Sequence, residues 1–379
     1  MSKQNRHKVS DLRNLYLNLL RPEEKWIIDR LFNNIASPID NSINLQHIEQ
    51  FAISNGLGPL TYYTSQKLLP EPLNLSFKKA YLRNLAKNTQ IEHVIGLIQS
   101  AFEEAKIPVL FLKGSILAFT RYADSTLRPM SDVDIIVPIE KAQVAYQLLQ
   151  QKGAIGCWRP MNETDHHLPP LTLKSTLIEI HTHLFPVHAK FSALNNYVWK
   201  ETMEWKKELH SLPGPSIIHH AFYIATHIYY NFKRGGIRLC WFYDLMMLHR
   251  DLAQLSGENI KKKAIHLGLE EPLTFTGTLY SCISKTPLPN WPLFEEFLPS
   301  PKVLNQAIEG FREGQQQDTR ESYQIILEQI ANAPTLKQKR SIIIKRLTKD
   351  KRLKGWPLIR HLFTTLYRLF NYMIHQAKK

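Results

Sequence analysis

Residues 108–138, PVLFLKGSILAFTRYADSTLRPMSDVDIIVP, constrain the fold of this chain more than any other stretch. The short apolar run 109–112 passes straight into Lys113-Gly114-Ser115, and 116–122 is again mostly apolar at helical spacing. The pattern predicts a strand, a tight turn and a helix. Gly114 can take a backbone conformation that side chains disfavour and leaves room for a ligand, while Ser115 offers a hydroxyl and an amide at a helix N-terminus. Such a corner suits a phosphate.

A sixteen-residue spacer then leads to Asp132-Val133-Asp134 and the apolar run Ile135-Ile136-Val137. Side chains alternate along a strand, so the two aspartates project from one face with Cα atoms about 6.6 Å apart. Two neighbouring carboxylates repel unless a cation neutralises them, and their oxygens are the ligands a hard ion such as Mg²⁺ prefers. A strand end carrying two solvated acids would show the same triplet.

Further along, residues 167–173 and 177–184 read as two strands separated by a polar turn at 174–176. In the second, Glu179, His181 and His183 alternate with Ile178, Ile180 and Thr182, which places the acid and both histidines on one face. Glu179 is thus a candidate third carboxylate, as a metal ligand or as the base for an attacking hydroxyl. Zinc on Glu179, His181 and His183 is an alternative, but no spacing of the H-E-x-x-H kind supports it.

The flanks are helical. Residues 23–35 carry Trp26, Ile27, Leu31 and Phe32 mostly on one face, Asn41-Ser42 could cap a second helix, Gly56-Leu57-Gly58-Pro59 breaks it, and a long helix is expected over 76–105. Residues 140–152 have helical spacing ended by Gly153. Helices return over 215–334, broken by Gly235-Gly236. There Arg238 and an aromatic could close over a nucleotide, but the preferred reading is a core helix pair with Arg238 and Asp244 as a salt bridge.

The net charge of +15 is uneven. Residues 335–379 hold thirteen Lys and Arg against the single acid Asp350, and the rest of the chain is nearly balanced. Within that tail, Ile359, Leu362, Phe363, Leu366, Tyr367, Phe370 and Ile374 fall on one helical stripe. The stripe could dock on the protein itself, lie on an anionic membrane surface or accompany nucleic-acid binding. No apolar run approaches the roughly 20 residues of a transmembrane segment, and the first residues lack the apolar core of a signal peptide, so a cytoplasmic protein is expected. Cys157, Cys240 and Cys282 are far apart and are expected to be reduced and mostly buried.

Lys113-Gly114-Ser115, followed by Arg128-Pro129-Met130-Ser131-Asp132-Val133-Asp134 and an apolar strand, resembles the signature of the nucleotidyltransferase fold superfamily. Within it the chain resembles the bacterial family of uncharacterised nucleotidyltransferases, to which the Gly-Leu-Gly-Pro break and the Glu-x-His of 179–181 are also similar. The resemblance implies an α+β fold: a mixed sheet core (106–205) flanked by N-terminal (1–105) and C-terminal (206–334) helical regions, with a basic amphipathic tail (335–379). It implies metal-dependent transfer of a nucleoside monophosphate group from an NTP to an acceptor hydroxyl, with release of pyrophosphate. Asp132, Asp134 and Glu179 would be the catalytic acids and hold Mg²⁺ (or Mn²⁺). Gly114 and Ser115 would take the triphosphate, with Lys113 and Arg128 as further candidates for neutralising it. The competing reading is a non-catalytic nucleotide-binding or scaffold protein of the same fold, docked through its basic tail.

Overall fold

The computed structural model describes residues 3–313 apart from 41, 159–164, 187–188, 190 and 209. The basic tail 335–379, with its apolar stripe, and residues 314–334 of the C-terminal helical region lie outside the described residues.

Five helices precede the sheet: α1 (Lys3–Leu19), α2 (Pro22–Phe32), α3 (Leu45–Ser54), α4 (Gly58–Ser65) and α5 (Glu71–Glu104). Pro22 opens α2 with Glu23 and Glu24 in the first turn and Arg30 in the last, the order that a helix dipole favours. The cap of α3 is Asn44, whose side chain accepts the amides of Gln46 and His47, and not the expected Asn41-Ser42 pair. Gly56, at φ 71°, makes the turn into α4. Helix α5 starts earlier than expected, just after Pro70, which suits a helix start because its ring fixes φ.

The sheet is built from β1 (Leu110–Phe111), β2 (Asp132–Ile136), β3 (Leu171–Leu173) and β4 (Thr176–His181), in the order β1-β2-β4-β3. Strand β2 is antiparallel to β1 and parallel to β4, and β3 is antiparallel to β4. Helix α6 (Gly114–Thr120) joins β1 to β2, and α7 (Ala142–Gln151) lies in the crossover that a parallel β2–β4 pair requires. Lys174 (φ 47°) and Ser175 (φ 63°) both sit in the left-handed region and form the two-residue turn between β3 and β4. Val133, Ile135, Ile178 and Ile180 are fully buried, so one face of the sheet packs inward while its acids face the other way.

After the sheet comes a hairpin that the sequence pattern did not suggest, β5 (Thr202–Lys207) with β6 (His210–Pro215). It extends the β structure to Pro215. The remaining helices are α8 (Ile217–Phe232), α9 (Leu239–Met247), α10 (His249–Ala253), α11 (Gly257–His266), α12 (Glu270–Ile283) and α13 (Pro301–Glu313). Helices from the two ends of the described chain pack together, α1 lying on α12 and α13. Arg312 of α13 gives Nε and Nη2 to the two carboxylate oxygens of Glu24, at 2.7 and 3.0 Å. Glu24 is fully buried, and an ion pair out of water holds only when its polar atoms are satisfied in this way. No cysteines are paired; Cys240 and Cys282 are buried, whereas Cys157 is exposed. No described helix is long and apolar enough to cross a membrane.

Candidate active site

The parallel register sets Asp132 opposite Leu177 and Asp134 opposite Glu179. Directly paired residues project from the same face, so Asp134 and Glu179 stand side by side, with Asp132 two residues back along β2. His181, the next outward residue on β4, donates Nε2–H to Asp134 Oδ1 at 2.9 Å and lies 3.8 Å from Glu179. Ligand atoms of Asp134, Glu179 and His181 all fall within 4.8 Å of one another, a cluster that could hold a metal ion. The face-sharing pattern already pointed to His181, but its bond to Asp134 depends on a register that periodicity does not reveal.

The corner from β1 into α6 differs from expectation in one respect. The left-handed residue is Lys113, at φ 49° and ψ −127°, and not Gly114. A side chain there costs of order 1–3 kcal/mol unless its surroundings hold it. Three contacts do. Its amide donates to His220 Nε2 at 2.9 Å, its ammonium sits 3.0 Å from Asp134 Oδ1, and the same ammonium lies over the Tyr223 ring. Gly114 serves a different purpose: a Cβ there would meet Met130 Cγ and Sδ at 3.1 and 3.2 Å. The glycine lets the 128–131 loop lie against the start of α6.

Ser115 turns toward the acids. Its Oγ accepts the Asp134 amide at 2.8 Å, and because an amide can only donate, the hydroxyl proton remains free to be given elsewhere. Arg128 is placed otherwise. Its guanidinium grips Asp244 of α9 bidentately, Nε to Oδ1 and Nη2 to Oδ2, both at 2.7 Å. Tyr122 Oη donates to the same carboxylate at 2.8 Å. The expected Arg238–Asp244 salt bridge is therefore absent: Asp244 is taken by Arg128, and the sequence offered no sign of a partner so distant along the chain.

Helix α5 secures the loop in front of the acids. Asn88 Nδ2 donates to the carbonyls of Ser125 and Arg128 at 2.6 and 2.9 Å, and Tyr81 Oη bonds Asp124 at 2.9 Å. On the other side the hairpin supports His220 through Trp205, fully buried and edge-on to the imidazole at 5.0 Å. Burial, with the charges of Arg121 and Lys113, pushes His220 down to about 3. It stays neutral and can accept the Lys113 amide.

Electrostatics at the acids are unbalanced. Burial would raise Asp134, but Lys113 and His181 outweigh it and hold this carboxyl well below the usual carboxylate range. Asp132 has no such partner: burial, then Asp134 and Glu179, push it up to about 6 against the pull of Lys113. Three acids sharing one ammonium carry negative charge that a divalent cation would relieve, and their oxygens are the donors a hard ion takes. Among the described residues, Asp134, Glu179 and His181 bring their ligand atoms close enough to share such an ion, and Asp132 lies outside that cluster.

These groups line a cavity of about 330 Å³ that also includes His227, Asn231, Arg238 and Trp241 from α8, α9 and the bend between them. A larger cavity of about 680 Å³ lies elsewhere, lined by Arg13, Ser281 and Trp291 among others, and no acid lines it. Size does not decide the matter, because chemistry needs the acids.

Residues 41–283 match the model of a family described as uncharacterised nucleotidyltransferase, a span that holds the sheet, all three acids and the Lys113-Gly114-Ser115 corner. No curated protein and no solved structure matches the chain.

Proposed function

The chain belongs to the uncharacterised nucleotidyltransferase family, and from that premise we propose that it moves a nucleoside monophosphate group from an NTP to an acceptor hydroxyl. Asp132, Asp134 and Glu179 would hold Mg²⁺ or Mn²⁺. The observation that carries this reading is the in-register pairing of Asp134 with Glu179, with the Ser115 hydroxyl bonded to the Asp134 amide.

In the reaction the acceptor oxygen forms a bond to the α-phosphorus, the bond to the pyrophosphate oxygen breaks in line, and the acceptor proton passes to a base. Protein groups contribute positioning and charge compensation more than covalent chemistry. A bound ion would supply Lewis-acid polarisation of the phosphate and offset charge on the leaving pyrophosphate. Ser115 gives its free hydroxyl proton to a phosphate oxygen, and Gly114, by letting Met130 pack against it, holds the 128–131 loop at the rim of the triphosphate site. Glu179, partly exposed, takes the acceptor proton or completes the ion's ligands. His181 and Lys113 fix the Asp134 carboxylate so that it does not turn away. Arg128 acts through Asp244, tying the loop before β2 to α9.

Purified protein incubated with each NTP, Mg²⁺ or Mn²⁺ and candidate acceptor hydroxyls is expected to release pyrophosphate, and Asp132→Asn with Asp134→Asn together to abolish the release. Equal release by both proteins would discard the assignment. Mg²⁺-dependent NTP binding without product would leave the scaffold reading.

A further inference from the structure

Three basic side chains line the cavity that holds the acids: Lys113, Arg128 and Arg238. Two are committed. Lys113 rests on Asp134, and Arg128 is taken by both oxygens of Asp244. The Arg238 side chain makes no hydrogen bond or ion pair among the described residues, and its Nε is buried without a partner. Buried donors are nearly always satisfied in folded proteins, and leaving one unmade costs about 1–3 kcal/mol. A charged donor left open beside a cluster of catalytic acids calls for an acceptor that arrives from outside.

The surrounding structure keeps Arg238 in place without using its side chain. Arg238 is extended, at φ −138° and ψ 140°, immediately before α9. The next two residues are held from the N-terminal helices: Asn55 Oδ1 accepts the Leu239 amide at 3.1 Å, and the Asn55 carbonyl accepts that of Cys240 at 3.2 Å. Asn55 is itself fixed, giving Nδ2 to the carbonyls of Phe51 and Phe311 at 2.9 and 2.8 Å. Gly56 admits the start of α9, since a Cβ there would lie 3.0 Å from Cys240 Sγ. The Asn55-Gly56 turn thus braces the backbone where α9 begins, and the guanidinium is left unpaired.

We propose that Arg238 binds the β- and γ-phosphates of the incoming nucleoside triphosphate, and so the pyrophosphate that leaves. The planar guanidinium fork matches two phosphate oxygens at once, which a point charge such as Lys113 does not. Placing it on the leaving group makes use of the geometry: the acids gather at one wall of the cavity, and Arg238 enters with α9 from the C-terminal helical region. The assignment rests on the nucleotidyl-transfer reading above.

The test is calorimetry with Mg²⁺ on wild type, Arg238→Gln and Arg238→Lys. The probes are the four NTPs as non-hydrolysable α,β-methylene analogues, the four nucleoside monophosphates, and inorganic tripolyphosphate. Arg238→Gln is expected to weaken the bound triphosphate analogue and tripolyphosphate at least tenfold and the monophosphate less than threefold, with Arg238→Lys recovering part of the loss. Its melting temperature should match wild type, since the side chain holds nothing within the protein. Triphosphate affinity unchanged in Arg238→Gln, while wild type still binds with Mg²⁺, overturns the assignment and leaves nucleotidyl transfer standing. An equal loss for mono- and triphosphate also overturns it, because the contact would then lie on the α-phosphate or the base. If wild type binds no triphosphate at all, the nucleotidyl-transfer reading fails and this assignment with it.

Discussion

Asp134 and Glu179 stand directly opposite one another on neighbouring parallel strands, each fully determined by a pairing that neither residue's local sequence encodes. Glu179→Gln tests whether that meeting is functional. Its side chain is 30% exposed and borders His181, so the fold should survive with its melting temperature nearly unchanged. Turnover should fall about 10²–10³-fold, the usual loss when one preorganised electrostatic group is removed. A variant with wild-type kcat would take Glu179 out of the site.

Asp132 gives a prediction about stability. Its carboxyl is raised in the folded protein to about 6, chiefly by burial and then by Asp134 and Glu179. A raised acid binds its proton more tightly folded than unfolded, so its contribution is most favourable below the unfolded value and is lost as pH rises through about 6. Without divalent ions, Asp132→Asn should therefore be more stable than wild type at pH 8, by about 3 kcal/mol at most. At pH 4 the gap should nearly close. Urea unfolding in EDTA at the two pH values measures it, and a wild type more stable than the variant at pH 8 would contradict the electrostatic account.

Arg128 and Asp244 form a buried pair whose value lies in being complete. Arg128→Gln leaves the Asp244 carboxylate with Tyr122 as its remaining partner and should cost about 3–5 kcal/mol. Arg128→Lys should rescue little, because an ammonium cannot reproduce the two-pronged grip. Arg128→Leu with Asp244→Leu should be less harmful than either single change, measured in a double-mutant cycle by denaturant unfolding.

Asn55 lies outside the cavity, fully buried, and its side chain makes three hydrogen bonds to the chain around it. Asn55→Ala should lower stability by about 1–3 kcal/mol. By loosening the first turn of α9 it should also raise KM for the triphosphate more than it lowers kcat. Steady-state kinetics separate the two effects; an unchanged KM would confine Asn55 to stability.

Much of this arrangement could be read from residue order alone, and the parts that could not have physical reasons. The 109–122 strand, turn and helix were legible because apolar period and turn chemistry coincide there, as was the alternation that put Glu179 and His181 on one face. The hairpin was not: β6 is HSLPGP, and two prolines and a glycine argue against a strand, while β5 exposes half of its residues and fully buries only Trp205. The left-handed bend was assigned to Gly114 because glycine is the usual occupant. Lys113 takes it instead, since His220, Asp134 and Tyr223 hold it from three sides. A pairing of Asp244 with Arg238 is what the local sequence suggests, but its partner Arg128 comes from the loop before β2.

The parallel pairing of β2 with β4 has a consequence for how competence arises during folding. Strands running the same way cannot be closed by a hairpin, so the acids come together only after the crossover containing α7 has been laid across the sheet. A nascent chain released before β4 would carry two aspartates and the lysine-bearing bend, yet lack the third carboxylate and the imidazole that steadies Asp134. Activity would thus switch on all at once when β4 docks, as a report that the crossover over the sheet has closed.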